Sequence, residues 1–271
     1  MQFGLDVPTT EAYAEPGVLA QLAADAEMAG WDGFFIWDVV AGLDPWIALT
    51  SIALQTSRIK LGLMVLPLAR HRPWLVAKRL ANLDQLSQGR VICAVGLGHR
   101  DADFATVGEA SDPIIRAQKL DEGLAILDGL WTHDAFSFAG MHYRLNDVKL
   151  ATKPVQSPRI PLWAAGGWPR RAPFRRAAQW DGVSFKSVHH QTRTWLTLDD
   201  FRAGLAYVQA HHNAHTPFEV IMSGDTSGDR QAARAKVQAF HEAGATWWVE
   251  EGLGWSVEEF AEHIRNGPVR G

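Results

Sequence analysis

The feature that most constrains this chain is an alternation. Short apolar runs of strand length recur between longer stretches whose apolar residues return every three or four positions. The runs are QFGLDV, GFFIWD, IKLGLMVLP, RVICAVGLG, IPLWAAGG, DGVSFKS, FEVIMSGD and ATWWVEEG. Helical stripes fall between them at Leu19, Leu22 and Ala26, at Val76, Leu80 and Leu83, at Leu120, Leu124 and Leu127, and at Phe201, Leu205 and Val208. Further helical stretches lie at 45–56, 171–180, 229–243 and 257–265. A helix after every strand, eight times over, predicts parallel strands and an α/β fold of the (β/α)8 TIM-barrel type.

With 271 residues, 47% of them apolar, the chain can bury the core of one large domain, and no linker or low-complexity tract divides it. A single barrel domain over 1–271 is expected. The segment FSFAGMHYRL at 136–145 reads as two short strands around Ala139-Gly140, a hairpin excursion after the fourth helix. In a barrel the C-terminal strand ends form the chemical face. That face would carry Asp6, Trp37, Asp38, Leu66 to Arg72, Gly96 to Arg100, Gly166 to Trp168, Lys186 to His190, Asp225, Glu250 and Glu251.

A formal charge of -4 offers no basic surface for a phosphate backbone, so a nucleic-acid partner is not expected. No run reaches the apolar length of a membrane span, and the amino terminus lacks a leader pattern, which predicts a cytoplasmic protein. The one cysteine, Cys93, lies inside an apolar run and reads as buried filler. Gly96-Leu97-Gly98 ends a strand, but the third glycine of a dinucleotide fingerprint is replaced by Asp101. His211, His212 and His215 include an i, i+4 pair without a carboxylate at metal-site spacing, so no metal is expected. Trp37, Trp74, Trp163, Trp168, Trp247 and Trp248 are either pocket walls or core packing.

Several stretches together resemble the bacterial luciferase-like family of flavin-dependent monooxygenases and their deazaflavin-dependent relatives. The third strand and its helix, LGLMVLPLARHRPWLVAKRLANLDQLSQGRVICAVGLG, follow its pattern of strand, Arg-x-Pro, helix, Leu-Asp-x-Leu-Ser-x-Gly-Arg and a strand ending Gly-x-Gly. FAGMHYRLNDVKLATKPVQSPRIPLWAAGG is similar to its Gly-x-x-Tyr segment, Pro-x-Gln-x-Pro approach and strand ending in two glycines, and AAQWDGVSF to its next helix and strand. The likeness covers roughly the first 190 residues, and beyond them only the strand order is shared.

The resemblance implies FMN or the deazaflavin coenzyme F420 lying across the strand ends against a small organic substrate, with a separate reductase as a possible partner and a homodimer as the assembly. It places cofactor contacts at Asp38, Met64, Val65, Gly96, Gly98, Ala165, Gly166, Gly167, Lys186 and Ser187. It also implies a non-proline cis peptide at Met64-Val65. The residues agree in part: two glycines and a following helix start suit a phosphate, and Arg170, Arg171, Arg175 and Arg176 add charge, unless they form a solvated helix face. Lys186 is either a phosphate contact or a snorkelling surface lysine.

The chain also departs from the family. Where many relatives carry Asp-His after the second strand, it has Trp37-Asp38-Val39, and His99 stands where sugar-phosphate-oxidising relatives carry a glutamate. His99 and His71 are therefore the expected catalytic imidazoles, against the alternative of hydrogen-bonded surface groups. Two other functions stay open on these residues: a non-catalytic flavin-binding protein or partner subunit, and an unrelated barrel lyase or isomerase whose Gly166-Gly167 turn holds a substrate phosphate.

Overall fold

The computed structural model describes residues 1–98, 102–189, 194–213 and 217–270. In chain order the elements are β1 (Gln2–Val7), α1 (Pro16–Met28), β2 (Gly33–Ile36), α2 (Pro45–Gln55), β3 (Lys60–Pro67), α3 (Pro73–Leu86), β4 (Val91–Gly96), α4 (Ala102–Ala105) and α5 (Pro113–Thr132). They continue as β5 (Phe136–Ala139), β6 (Arg144–Val148), β7 (Leu162–Trp168), α6 (Arg171–Ala177), β8 (Gly182–Ser187), α7 (Leu198–Gln209), β9 (Glu219–Gly224), α8 (Arg230–Glu242), β10 (Trp247–Glu251) and α9 (Val257–Arg265). Eight strands close a parallel barrel in the order β1-β10-β9-β8-β7-β4-β3-β2, and β5 and β6 form a separate antiparallel hairpin. The barrel and its excursion are those the alternation predicts. The second hairpin strand runs three residues past the predicted limit, to Val148.

Helix starts are written locally. Asp44 and Asp112 each accept two backbone N–H groups ahead of a proline at the first helical position, and Ser256 with Glu259 forms a capping box at α9. The strands sort their side chains with period two. Phe34, Ile36, Leu61, Leu63, Cys93, Val95 and Val183 join the large core under the helices. Phe35, Met64, Ile92, Ala94, Trp163, Ile221, Trp247 and Val249 form a second cluster inside the barrel. There Phe35, Trp163 and Trp247 meet with ring centroids 5.4 to 5.9 Å apart, so the barrel is a packed core below its mouth.

This settles most of the tryptophans as packing. Trp248 faces outward onto Phe240, Trp168 lies edge-on to Phe174, and Trp74 lies edge-on to Tyr143, which leaves Trp37 half-buried near the mouth. Cys93 is buried, and burial pushes its thiol up to about 12.

The Leu-Asp-x-Leu-Ser-x-Gly-Arg stretch is a scaffold device. Fully buried Asp84 accepts from the backbone N–H of Val155 and Gln156 and from the Gln156 side chain, which tethers the end of α3 to the approach of β7. Arg90 donates to Ser87, Thr56, Ile59 and Ala53, closing the end of α2 onto β3. These bonds satisfy buried backbone carbonyls and fix the barrel end opposite the mouth.

Candidate active site

Extending the inward phase of each strand to its C-terminal end identifies the groups at the mouth. On β4 the phase Ile92, Ala94 reaches Gly96, and on β7 the phase begun by Trp163 reaches Ala165 and Gly167. Beside them, β3 slips register between Met64 and Leu66, and the Met64–Val65 peptide bond is cis, as expected. A Cβ on Gly96 would stand 3.1 Å from Val65 and 3.8 Å from Ala165. Val65, Gly96 and Ala165 thus lie side by side as one low, apolar floor. Gly98, at φ +78, takes a left-handed turn in which a Cβ would strike Phe104, so β4 ends where only glycine fits.

The opposite side of the mouth is charged. Asp6 continues the inward phase of β1, Glu251 that of β10, where it pairs with Asp6 in register, and Lys186 that of β8. Lys186 Nζ lies 3.2 Å from Asp6 Oδ2 and also bonds Glu251 Oε1. The two carboxylate side chains are 4% exposed and the lysine 14%, so all three charges are held out of water and compensate one another. Burial pushes Asp6 up to about 7; Lys186 opposes that rise and Glu251 adds to it. Burial alone would lower Lys186, but Glu251 and Asp6 outweigh it and hold the ammonium above its ordinary range.

Lys186 was expected as a phosphate contact or a snorkelling surface group. It is neither exposed nor unpaired: its charge is taken by two carboxylates of the barrel, because a buried ammonium needs compensation. Ser187 is buried, and its hydroxyl accepts from the His189 backbone N–H at 3.0 Å. The glycine pair also divides. Gly166 faces outward, where a Cβ would lie 2.8 Å from Pro173, so it permits α6 to pack; Gly167 alone shares the inward phase. The helix that follows has seven residues and starts after a cis Trp168–Pro169 bond. Of its arginines, Arg171 covers the Tyr207 ring and Arg176 pairs with Asp121.

Two predicted residues meet beside the mouth. Asp38 bonds Arg70 Nη2 and His71 Nε2, each at 2.6 Å, next to a cavity of about 290 Å³ lined also by Gly42, Trp46 and Arg79. Asp38 thus holds Arg70 through one oxygen and His71 Nε2 through the other. His99, Arg100 and Asp101 lie outside the described residues, as does His215. His211 and His212 bond the carbonyls of Tyr207 and Ala178. Among the described residues no group of three or more His, Cys, Asp or Glu is placed to hold a metal, and no helix is long and apolar enough to cross a membrane.

One neighbour in sequence behaves differently. Glu250 points outward, accepts from Thr226 N, Thr226 Oγ1 and Trp248 Nε1, and faces His263 at 3.9 Å. Burial pushes it up to about 7 against those bonds. It belongs to the joint between β10 and the helix layer. The triad was missed from sequence because its members lie 180 and 65 residues apart; the available signal was three charged residues falling on inward phases at strand ends.

Sequence and structure comparisons place the chain among known proteins. The chain is 32% identical over 164 residues to an F420-dependent glucose-6-phosphate dehydrogenase of Amycolatopsis mediterranei (strain U-32), covering 57% of this chain and 49% of that protein. It is 30% identical over 192 residues to an FMNH(2)-dependent dimethylsulfone monooxygenase of Pseudomonas putida, covering 68% and 50%. The chain thus spans about half the length of the curated relatives it matches. In structure it is similar to a monooxygenase from Streptomyces bottropensis, with a TM-score of 0.82 and 19% identity over 98% of this chain and 97% of the other, a likeness of fold. The profile of the luciferase-like monooxygenases matches residues 1–263, and the chain belongs to that family.

Proposed function

We infer that this protein is an oxidoreductase that holds FMN or the deazaflavin coenzyme F420 across the barrel mouth and acts on a small organic substrate. The observation that carries this reading is the apolar floor of Val65, Gly96 and Ala165, set opposite a charged wall in a chain of this family. A flat ring fits such a floor because no Cβ rises from Gly96. Met64 supports the floor from inside the barrel, and Gly98 lets β4 turn away from it. Gly167 and Ser187 are the phosphate-side contacts, Asp38 orients Arg70 and His71 at the rim, and His99 remains the proposed imidazole near the substrate.

The bound ring supplies the electrons, as hydride transfer with the deazaflavin or as oxygen chemistry with reduced FMN; the chain supplies position, exclusion of water and protons. A fluorescence titration of the purified protein with FMN and with F420, each oxidised and reduced, tests the reading. Saturable binding of one of them supports it, and binding of neither by folded protein overturns it.

The assembly we propose is a homodimer through α2 and α3. These helices expose Ile47, Leu54, Leu75 and Leu86, apolar residues without a partner in the single chain. A sedimentation run showing only the 29.9 kDa species at micromolar concentration would reject it. A cytoplasmic location and a separate reductase complete the proposal, since a reduced cofactor must be regenerated.

A further inference from the structure

The family's histidine after the second strand is absent here, and His71 stands at the rim with Nε2 bonded to Asp38. The redox half of a flavin or deazaflavin reaction belongs to the bound ring. The proton half calls for groups at the mouth that can give and take a proton near neutral pH, beside the imidazole proposed above. Three observations point to one place.

First, Lys186 stands on the inward face at the mouth, and its side chain is 14% exposed against 4% for each carboxylate. Second, Asp6 Oδ2 stands 3.2 Å behind it, in a buried carboxyl that also faces the Trp37 indole. Third, Glu251 grips the same ammonium from β10, which fixes the lysine's direction without using Asp6. The groups facing Asp6 are Lys186 from β8, Glu251 from β10 and the Trp37 indole that follows β2.

We propose that Lys186 and Asp6 form the proton relay of this site, with Glu251 as the positioning residue. In the reducing direction Lys186 gives an N–H proton to the substrate oxygen, and Asp6 returns its carboxyl proton to the amine. One O–H bond forms on the substrate, one breaks on Asp6, the lysine ends charged as it began, and Asp6 ends as the carboxylate. In the oxidising direction every transfer runs backwards. The acid strength of the relay is then set by Asp6, whose carboxyl sits near neutrality, and not by the lysine, which alone is too weak an acid.

This relay rests on the oxidoreductase reading and makes a separate demand. A ring over the floor shields the lysine tip from water, which favours the uncharged form of the triad, with Asp6 protonated. Cofactor binding near neutral pH therefore takes up a proton. Calorimetric titrations with oxidised FMN and with F420, each in two buffers of different ionisation enthalpy at pH 6, 7 and 8, count it. The cofactor's own titration cancels in the difference between variants.

We expect uptake approaching one proton per site with its midpoint near pH 7, lost in Asp6→Asn. In Glu251→Gln the midpoint falls, because a negative charge that raises Asp6 has gone. If Asp6→Asn does not fold, Glu251→Gln decides alone. Equal uptake in wild type and Asp6→Asn, or a midpoint that Glu251→Gln leaves unmoved, overturns the relay while cofactor binding stands. Failure of either cofactor to bind wild type overturns the oxidoreductase reading instead.

Discussion

The two halves of the barrel mouth are built by the same rule and differ in chemistry. β3, β4 and β7 end their inward phases in Val65, Gly96 and Ala165, while β1, β8 and β10 end theirs in Asp6, Lys186 and Glu251. One half is shaped by what is missing, since any side chain larger than hydrogen at Gly96 fills the floor. The other half is shaped by compensation, since none of its three charges is tolerable in the barrel without the others. Lys186 reaches its partners across β9, where the inward residue is the small Ser223. The comparison teaches that a cofactor surface and a charged cluster can share one closed sheet when bulk is removed on one side and charge is balanced on the other.

Removing the compensation should have the largest effect. Lys186→Met leaves two buried carboxylates facing each other and should destabilise the fold by about 3–5 kcal/mol at pH 8. The loss should shrink at pH 5.5, where Asp6 is protonated, and urea unfolding at the two pH values measures both. Equal loss at both would break the assignment of charge balance to this half.

Glu250, one residue from the triad but on the outer side of β10, sharpens the contrast. Its folded pKa of about 7 lies above the ordinary value of 4.5, so the folded state keeps a proton that the unfolded chain releases between those values. The stability it contributes is full below about pH 4.5 and declines as pH rises through 7, by about 3 kcal/mol in total. Thermal melts across that range should lose this part of their slope in Glu250→Gln.

On the apolar side, Gly96→Val should lower stability somewhat, because its Cβ crowds Val65 at 3.1 Å, and weaken FMN or F420 binding about 100-fold, or about 2.7 kcal/mol. Fluorescence titration reads this directly, and unchanged affinity would remove the floor from the site. The smallest effect should come from the rim. His71→Gln breaks one bond to Asp38 but leaves the Arg70 bond, so cofactor affinity should change only about threefold, well below 1 kcal/mol.

Much of this was legible in the sequence for local reasons. Each strand advertised itself as a short apolar run and each helix as a stretch of helical pattern. The family likeness led to Val65, Gly96 and Ala165 as expected cofactor contacts, and the structure sets them side by side. The roles of Gly166 and Lys186 were not legible. Whether a strand-end glycine faces a helix or the lumen depends on phase, and whether a lysine is free depends on what lies across the barrel.

The sequence by itself determined the architecture, the hairpin excursion and the family, because these follow from periodicity and local motif, which need no distant partner. Only the tertiary structure decided that Asp6, Lys186 and Glu251 are one group, that Asp38 belongs to Arg70 and His71, and that Asp84 and Arg90 tie the scaffold. The physical reason is closure. A barrel brings its first strand against its last and turns the inward residues of every strand toward one axis, so charges far apart in sequence come to compensate one another.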